Sequence, residues 1–311
     1  MSIYLKRTIA TITFIIGLFA MLFSLSYLSL PQNNKSAYGV EDTSANTILA
    51  EEPNSIDVLV FGDSESYSNI SPLEIWKNSG IPSFICGTRA QRLDYTQILM
   101  ERAFSEQSPK VVILETNTLY RKISADTQAA DVLSLYLPVF KYHNRWKLIL
   151  GGALAPVPAD LKGYKHNLET NPASNINYMK YSDEVEEIPQ LNVDYVKEIK
   201  EFCDENGAEF LLVSTPSAKN WNYKRHNAVS KLAENLDCAY LDLNALNDEI
   251  KIDWKTDTRD GGDHLNHSGA VKASKYLAEY LKSTDKFVDK RNDSAYSAWN
   301  DSLDYYNNLL K

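Results

Sequence analysis

"VLVFGDSESYSNISP" occupies residues 58–72. Val58 to Phe61 is an unbroken apolar run, the composition of a strand buried on both faces. It stops at Gly62, and Asp63, Ser64, Glu65 and Ser66 follow at once. Their side chains compete for backbone hydrogen bonds, which favours turns and helix starts over strand. The stretch therefore predicts a buried strand, a tight turn and a helix. Ser64 in that turn is either an ordinary helix-start residue or the seat of a reactive hydroxyl.

Working outward, short apolar runs of the same kind recur, and strands are expected over 56–61, 82–86, 110–114, 209–214 and 238–243. Amphipathic stretches separate them, predicting helices over 71–79, 93–105, 193–206, 223–235 and 268–282. Ser71-Pro72 opens the first and Gly207 closes the third, both common helix boundaries. Strands alternating with helices imply an α/β fold, with a mostly parallel sheet covered on both faces. In such sheets ligands bind at the C-terminal ends of the strands.

Residues 8–30 carry no charge and are mostly Ile, Leu, Phe, Met and Ala. That length suffices to cross a bilayer core of about 30 Å. Lys6 and Arg7 precede it, so the positive-inside rule places residues 1–7 in the cytoplasm and the rest outside. No clean Ala-x-Ala cleavage site closes the apolar stretch, so an uncleaved single-pass anchor is expected rather than a signal peptide. Residues 31–54 are polar and read as a stalk, 55–282 as the globular domain, 119–190 as an insertion or lid within it, and 283–311 as a polar tail. The net charge of −9 argues against nucleic acid as a partner. Cys86, Cys203 and Cys238 lack the spacing of a disulfide framework or metal site, and read as small core residues.

A serine nucleophile needs a base. His264 lies in "DTRDGGDHLNHSGA", residues 257–270, with Asp260 and Asp263 before it. A carboxylate there can turn back to the imidazole Nδ1 and steady the imidazolium. Gly261-Gly262 would let Asp260 fold back, whereas Asp263 is adjacent to His264 and poorly placed; Asp260 is favoured and Asp263 is the alternative. Acyl transfer also needs donors toward an oxyanion. Gly87 after the second strand and Asn117 after the third are suitable, together with Ser64 itself. His267 reads as a helix-start residue and Asn266 as a cap or brace.

This arrangement resembles the SGNH (GDSL-type) hydrolase superfamily. Ser64 matches its first block, Gly87 the second, Asn117 the third and His264 the fourth, in the family's order. The resemblance covers about residues 56–281 without most of the insertion. It implies a flavodoxin-like three-layer α/β/α fold with a five-stranded sheet. It also implies a Ser64 acyl-enzyme and no metal or cofactor. Two departures stand out: Glu115 replaces the usual glycine of the third block, and Gly261 stands where the usual acid would be.

The layout of anchor, stalk and exported domain is similar to DltD-type proteins of teichoic-acid D-alanylation and to the partners of membrane-bound O-acyltransferases. The resemblance implies acyl transfer to a cell-surface polysaccharide or wall polymer, at the cell membrane, with such an O-acyltransferase as partner. An exported esterase and a non-catalytic scaffold are the alternatives. Arg89, Glu115, His143, Arg145, Trp146 and Tyr164, with Tyr142 and His166, are candidates for contact with the substrate. Trp146 and its neighbours read equally as an amphipathic helix packed on the domain.

Overall fold

The computed structural model describes residues 2–29, 45, 47–143, 161–174 and 176–309. They divide into two compact units, residues 1–43 with 124–158, and residues 44–123 with 159–311.

The larger unit is built on five parallel strands: β1 (Val58–Gly62), β2 (Ser83–Gly87), β3 (Val111–Glu115), β4 (Glu209–Ser214) and β5 (Ala239–Asp242). Their order is β2-β1-β3-β4-β5, the flavodoxin-like order, with the direction of winding reversing between β1 and β3. Each of β1, β2 and β3 is buried along its whole length, as unbroken apolar runs require.

The connecting helices are α2 (Ser64–Asn69), α3 (Pro72–Ser79), α4 (Leu93–Phe104), α7 (Gln190–Glu205), α8 (Tyr223–Leu236), α9 (Asn247–Ile250), α10 (His267–Ser283) and α11 (Ser297–Asn308). Helix α3 packs against α10 and α11, while α7 packs against α4 and α8. Right-handed crossovers put these two groups on opposite faces of the sheet. Ser71 caps α3 through its side chain, with Pro72 in the first turn and Gly80 in the left-handed conformation at its end. Both boundaries fall where the sequence signals place them.

Within the polar tail, residues 283–309 carry a helix that packs on the domain. Helix α11 buries Trp299 and Tyr306, and Trp299 lies 5.2 Å from Trp76 between ring centroids. The Trp76 indole donates to Asn300 at 3.1 Å. The spacing of Trp299, Leu303 and Tyr306 is that of one helix face, so apolar burial outweighs the polar composition. Trp299→Ala is expected to cost about 3–5 kcal/mol, read as a lower urea midpoint. A midpoint unchanged from the parent would mean that α11 adds nothing to the core.

The insertion is also divided. Residues 124–158 fall in the smaller unit with α1 (Ile3–Ser29), whereas 159–190 fold with the sheet. The smaller unit contains α5 (Ala125–Tyr136) and α6 (Val139–Tyr142). Helix α1 is long and apolar enough to cross a membrane.

Candidate active site

The C-terminal ends of β1, β2 and β3 converge at the winding reversal. Gly62 and Gly87 are register partners across β1 and β2. A Cβ on Gly87 would stand 2.4 Å from Ser66 Oγ, and one on Gly62 would stand 2.6 Å from Glu115 Cβ. The two glycines therefore let the turn after β1 settle directly on the sheet. Asp63 caps α2 by accepting from the Glu65 N–H at 2.9 Å, and Ser66 Oγ donates to the Asp63 carbonyl at 2.7 Å. Ser64 becomes the first residue of α2 and keeps partial exposure among buried neighbours.

His264 Nε2 lies 2.8 Å from Ser64 Oγ. Its Nδ1 lies 2.6 Å from Asp260 Oδ2 and 3.6 Å from Asp263 Oδ1. Asp260 Oδ1 also accepts from the His264 backbone N–H at 2.7 Å. Gly261 and Gly262 both have positive φ, at 79° and 94°, which turns the chain back on itself between Asp260 and His264. Asp263 is held elsewhere, by Asn220 Nδ2 at 2.6 Å and Lys219 Nζ at 3.5 Å. Burial opposes ionisation of Asp260, but the hydrogen bonds from His264 outweigh it and hold the carboxyl below its ordinary range. The donor atoms of Asp260, Asp263 and His264 are close enough to hold a cation. A metal on Nδ1 would replace the 2.6 Å contact with Asp260.

The His264 loop is pinned to the Ser64 helix from the side. Asn69 Oδ1 accepts the Leu265 N–H at 2.8 Å, while Asn69 Nδ2 donates to Thr215 Oγ1 at 3.0 Å. Asn266 caps α10 and donates to the Thr256 carbonyl at 2.7 Å. Arg259 donates to Ser68 Oγ at 2.7 Å. The Asn69–Leu265 and Arg259–Ser68 bonds tie the loop of His264 directly to the helix of Ser64.

Beneath Ser64 lies a nest of acids, Asp63, Glu65 and Glu115, of which the sequence analysis singled out only Glu115 as a site candidate. Asp63, fully buried, accepts from Asn117 Nδ2 at 2.9 Å and Arg121 Nε at 2.8 Å, with a second bond from Arg121 Nη2. Asn117 Oδ1 in turn accepts from Arg225 Nη1 at 3.3 Å. The Arg225 guanidinium lies 4.0 Å from the Tyr120 ring centroid and donates through Nε to Glu186 at 2.8 Å. Glu65 accepts from Asn220 Nδ2 at 2.8 Å, and Glu115 accepts the Asn117 N–H at 3.1 Å. Burial pushes Glu65 well above the ordinary carboxylate range, and the charge of Asp63 adds to it. Glu115 is pushed the same way, by burial first and then by Glu65 and Asp63.

A raised carboxyl holds its proton where the unfolded chain has lost it, so the native state binds more protons and stability falls as pH rises. Glu115→Gln keeps an acceptor for the Asn117 N–H and carries no charge. It is expected to exceed the parent in stability at about pH 8, with the gap shrinking toward pH 4 by up to about 1.4 kcal/mol per pH unit. Urea midpoints over that range measure it. A gap independent of pH would show that Glu115 is ionised in the native state.

The remaining candidates are dispersed. Arg89 is exposed two residues beyond Gly87. Tyr67 stands beside the site: burial raises its phenol, against the charges of Arg259 and Arg89 and a hydrogen bond with Ser64. Tyr164 is buried in the core, 6.3 Å from Tyr306 between ring centroids, so it does not present a free face to a sugar. His166 packs with it, its ring 4.8 Å from that of His267. His143 is exposed at the end of α6, with Nδ1 2.8 Å from the Phe140 carbonyl, and belongs to the smaller unit. Arg145 and Trp146 lie outside the described residues.

No family model and no curated protein matches the chain. Among solved structures it is similar to the lipase/acylhydrolase from Enterococcus faecalis, at 9% identity and a TM-score of 0.42, over 74% of this chain and 96% of that one. It is similar to a GDSL-like lipase from Bacteroides thetaiotaomicron at 10% identity and a TM-score of 0.40, over 77% and 96%. An acetyl xylan esterase, AlAXEase, gives 14% identity and a TM-score of 0.37, over 73% and 98%. Likeness at this level concerns the outline of the fold.

Proposed function

We propose that this chain is an exported, membrane-anchored serine acyl-transfer enzyme that acts on a cell-surface or secreted polysaccharide. The observation that supports it is the unbroken chain of contacts from Ser64 through His264 to Asp260, at 2.8 and 2.6 Å, opening on a partly exposed hydroxyl. As Ser64 Oγ attacks an acyl carbonyl, His264 Nε2 takes its proton, and Asp260 steadies the imidazolium. The backbone N–H groups of Ser64 and Gly87 and the Asn117 amide are the donors for the oxyanion. Asn117 Nδ2 gives one hydrogen to Asp63, and an amide carries two. Arg225 and Asp63 thus orient this donor from both ends. When the tetrahedral intermediate collapses, His264 returns the proton to the leaving group and Ser64 keeps the acyl group. An acceptor hydroxyl then gives its proton to His264 and attacks the acyl carbon; as the bond to Ser64 Oγ breaks, His264 passes that proton to Oγ and the free hydroxyl is restored.

Transfer to a sugar rather than to water is supported by the apolar helix α1, which would hold the domain where polymer is assembled. The acyl donor in this reading is delivered by a membrane-bound O-acyltransferase, and Arg89 meets an anionic group on donor or acceptor. The test incubates the full chain with an acetyl ester and an oligosaccharide and separates the products by mass. Acetylated sugar, with Ser64 labelled by a fluorophosphonate, is the expected result. Free acetate alone makes the enzyme an esterase, and failure of Ser64 to label removes acyl chemistry altogether.

A further inference from the structure

The smaller unit carries a helix that, beyond exposed Asp126 in its first turn, presents an apolar stripe outward. On α5, Val132, Leu133 and Tyr136 are exposed, Tyr136 to 75%, and exposed Ala129 continues the same stripe. Thr127, Gln128 and Ser134 are only half-exposed. A helix facing water shows the opposite distribution. Phe140 on α6 is exposed as well. Helix α5 is firmly begun, since Ser124 and Thr127 cap it reciprocally. The exposed stripe is thus a property of an ordered helix.

The position of this face is set by α1. The Val139 N–H at the start of α6 donates to Ser26 Oγ at 3.2 Å. Ser26 is the one buried residue among the 27 of α1, and Leu22 and Ser29, on the same face, are half-covered. Ser26 is three residues, or about 4.5 Å along the helix axis, from the end of α1 at Ser29. If α1 spans the bilayer, that is the depth at which acyl chains give way to headgroups. A tyrosine and a phenylalanine beside aliphatic residues suit that boundary.

We infer that α5 and α6 lie in the membrane interface beside the exit of α1, with Val132, Leu133, Tyr136 and Phe140 against lipid. The occupant of this face is the bilayer because the face is tied, through Ser26, to a helix that already belongs there. The consequence is a chain held to the membrane by more than one thread, so that the smaller unit has a defined depth.

The inference rests on α1 as a span, and the experiment separates the two. Tyr136→Cys is labelled with an environment-sensitive dye in the full chain reconstituted in phosphatidylcholine vesicles, with Phe14→Cys labelled separately as a marker of α1. Cys238→Ala removes the half-buried thiol from both variants; Cys86 and Cys203 are buried. The expected result is loss of Tyr136-site emission to lipids that carry a quencher near the headgroup, and no loss to aqueous iodide. Quenching by iodide at Tyr136 together with lipid quenching at Phe14 overturns the interfacial placement and leaves the anchor. Protection at Tyr136 from both quenchers assigns the face to a protein contact and overturns it too. Iodide access at both positions overturns the span and the inference together.

Discussion

Ser64→Ala is expected to lower the rate of acyl-enzyme formation by about 10⁴- to 10⁶-fold, and adding His264→Ala is expected to cost little more. The two groups perform one act, the attack of Oγ with loss of its proton, so removing either removes the act. The fold is expected to survive, because the cap of α2 is made by Asp63 and not by Ser64. Stopped-flow release of nitrophenol from an activated acetate ester measures the first turnover. A single variant that retains activity within about tenfold of the parent, or a double variant far worse than either single one, would show that Ser64 and His264 act separately.

Asp260→Asn is expected to reduce kcat by about 10³- to 10⁴-fold, while Asp263→Asn stays within about tenfold of the parent. An asparagine amide at residue 260 can turn its N–H toward Nδ1, which then has to accept. The imidazole hydrogen moves to Nε2, and the base can no longer take a proton from Ser64. The Asp263 carboxylate has different work. Its close partner is Asn220, and its ion pair with Lys219 is partly exposed, an arrangement worth about 0–1 kcal/mol. Equal losses in the two variants would make the acids a shared pair, and a larger loss from Asp263→Asn would transfer the role to it. The hydrogen bonds from His264 outweigh burial and keep Asp260 ionised below the ordinary carboxylate range. Support for the imidazolium therefore persists into mild acid and disappears only as pH falls through that lowered value.

The fold was legible because strands buried on both faces must be written as apolar runs, and helices between them as periodic ones. The observed β1 starts two residues later than expected and includes Gly62, because Gly62 pairs with Gly87 in the sheet. The turn that brings Asp260 to His264 was readable from two consecutive glycines. Arg121 and Arg225 were not. They reach Asp63 and Asn117 across 58 and 108 residues, and contacts made only in the folded chain leave no local period. Helix α11 had a readable stripe, Trp299, Leu303 and Tyr306, hidden in a polar background. Tyr164 misled in the other direction: an aromatic among Gly, Lys and His suggests sugar stacking, but nothing local reports that the ring turns into the core.

The seating of α11 sets a condition on the order of events during synthesis. Trp299 and Asn300 complete the cover of Trp76, and Tyr306 reaches Ser71 at 3.4 Å and His267 at 3.3 Å. A ribosome therefore adds 224 residues beyond Trp76 before Asn300 can meet its indole.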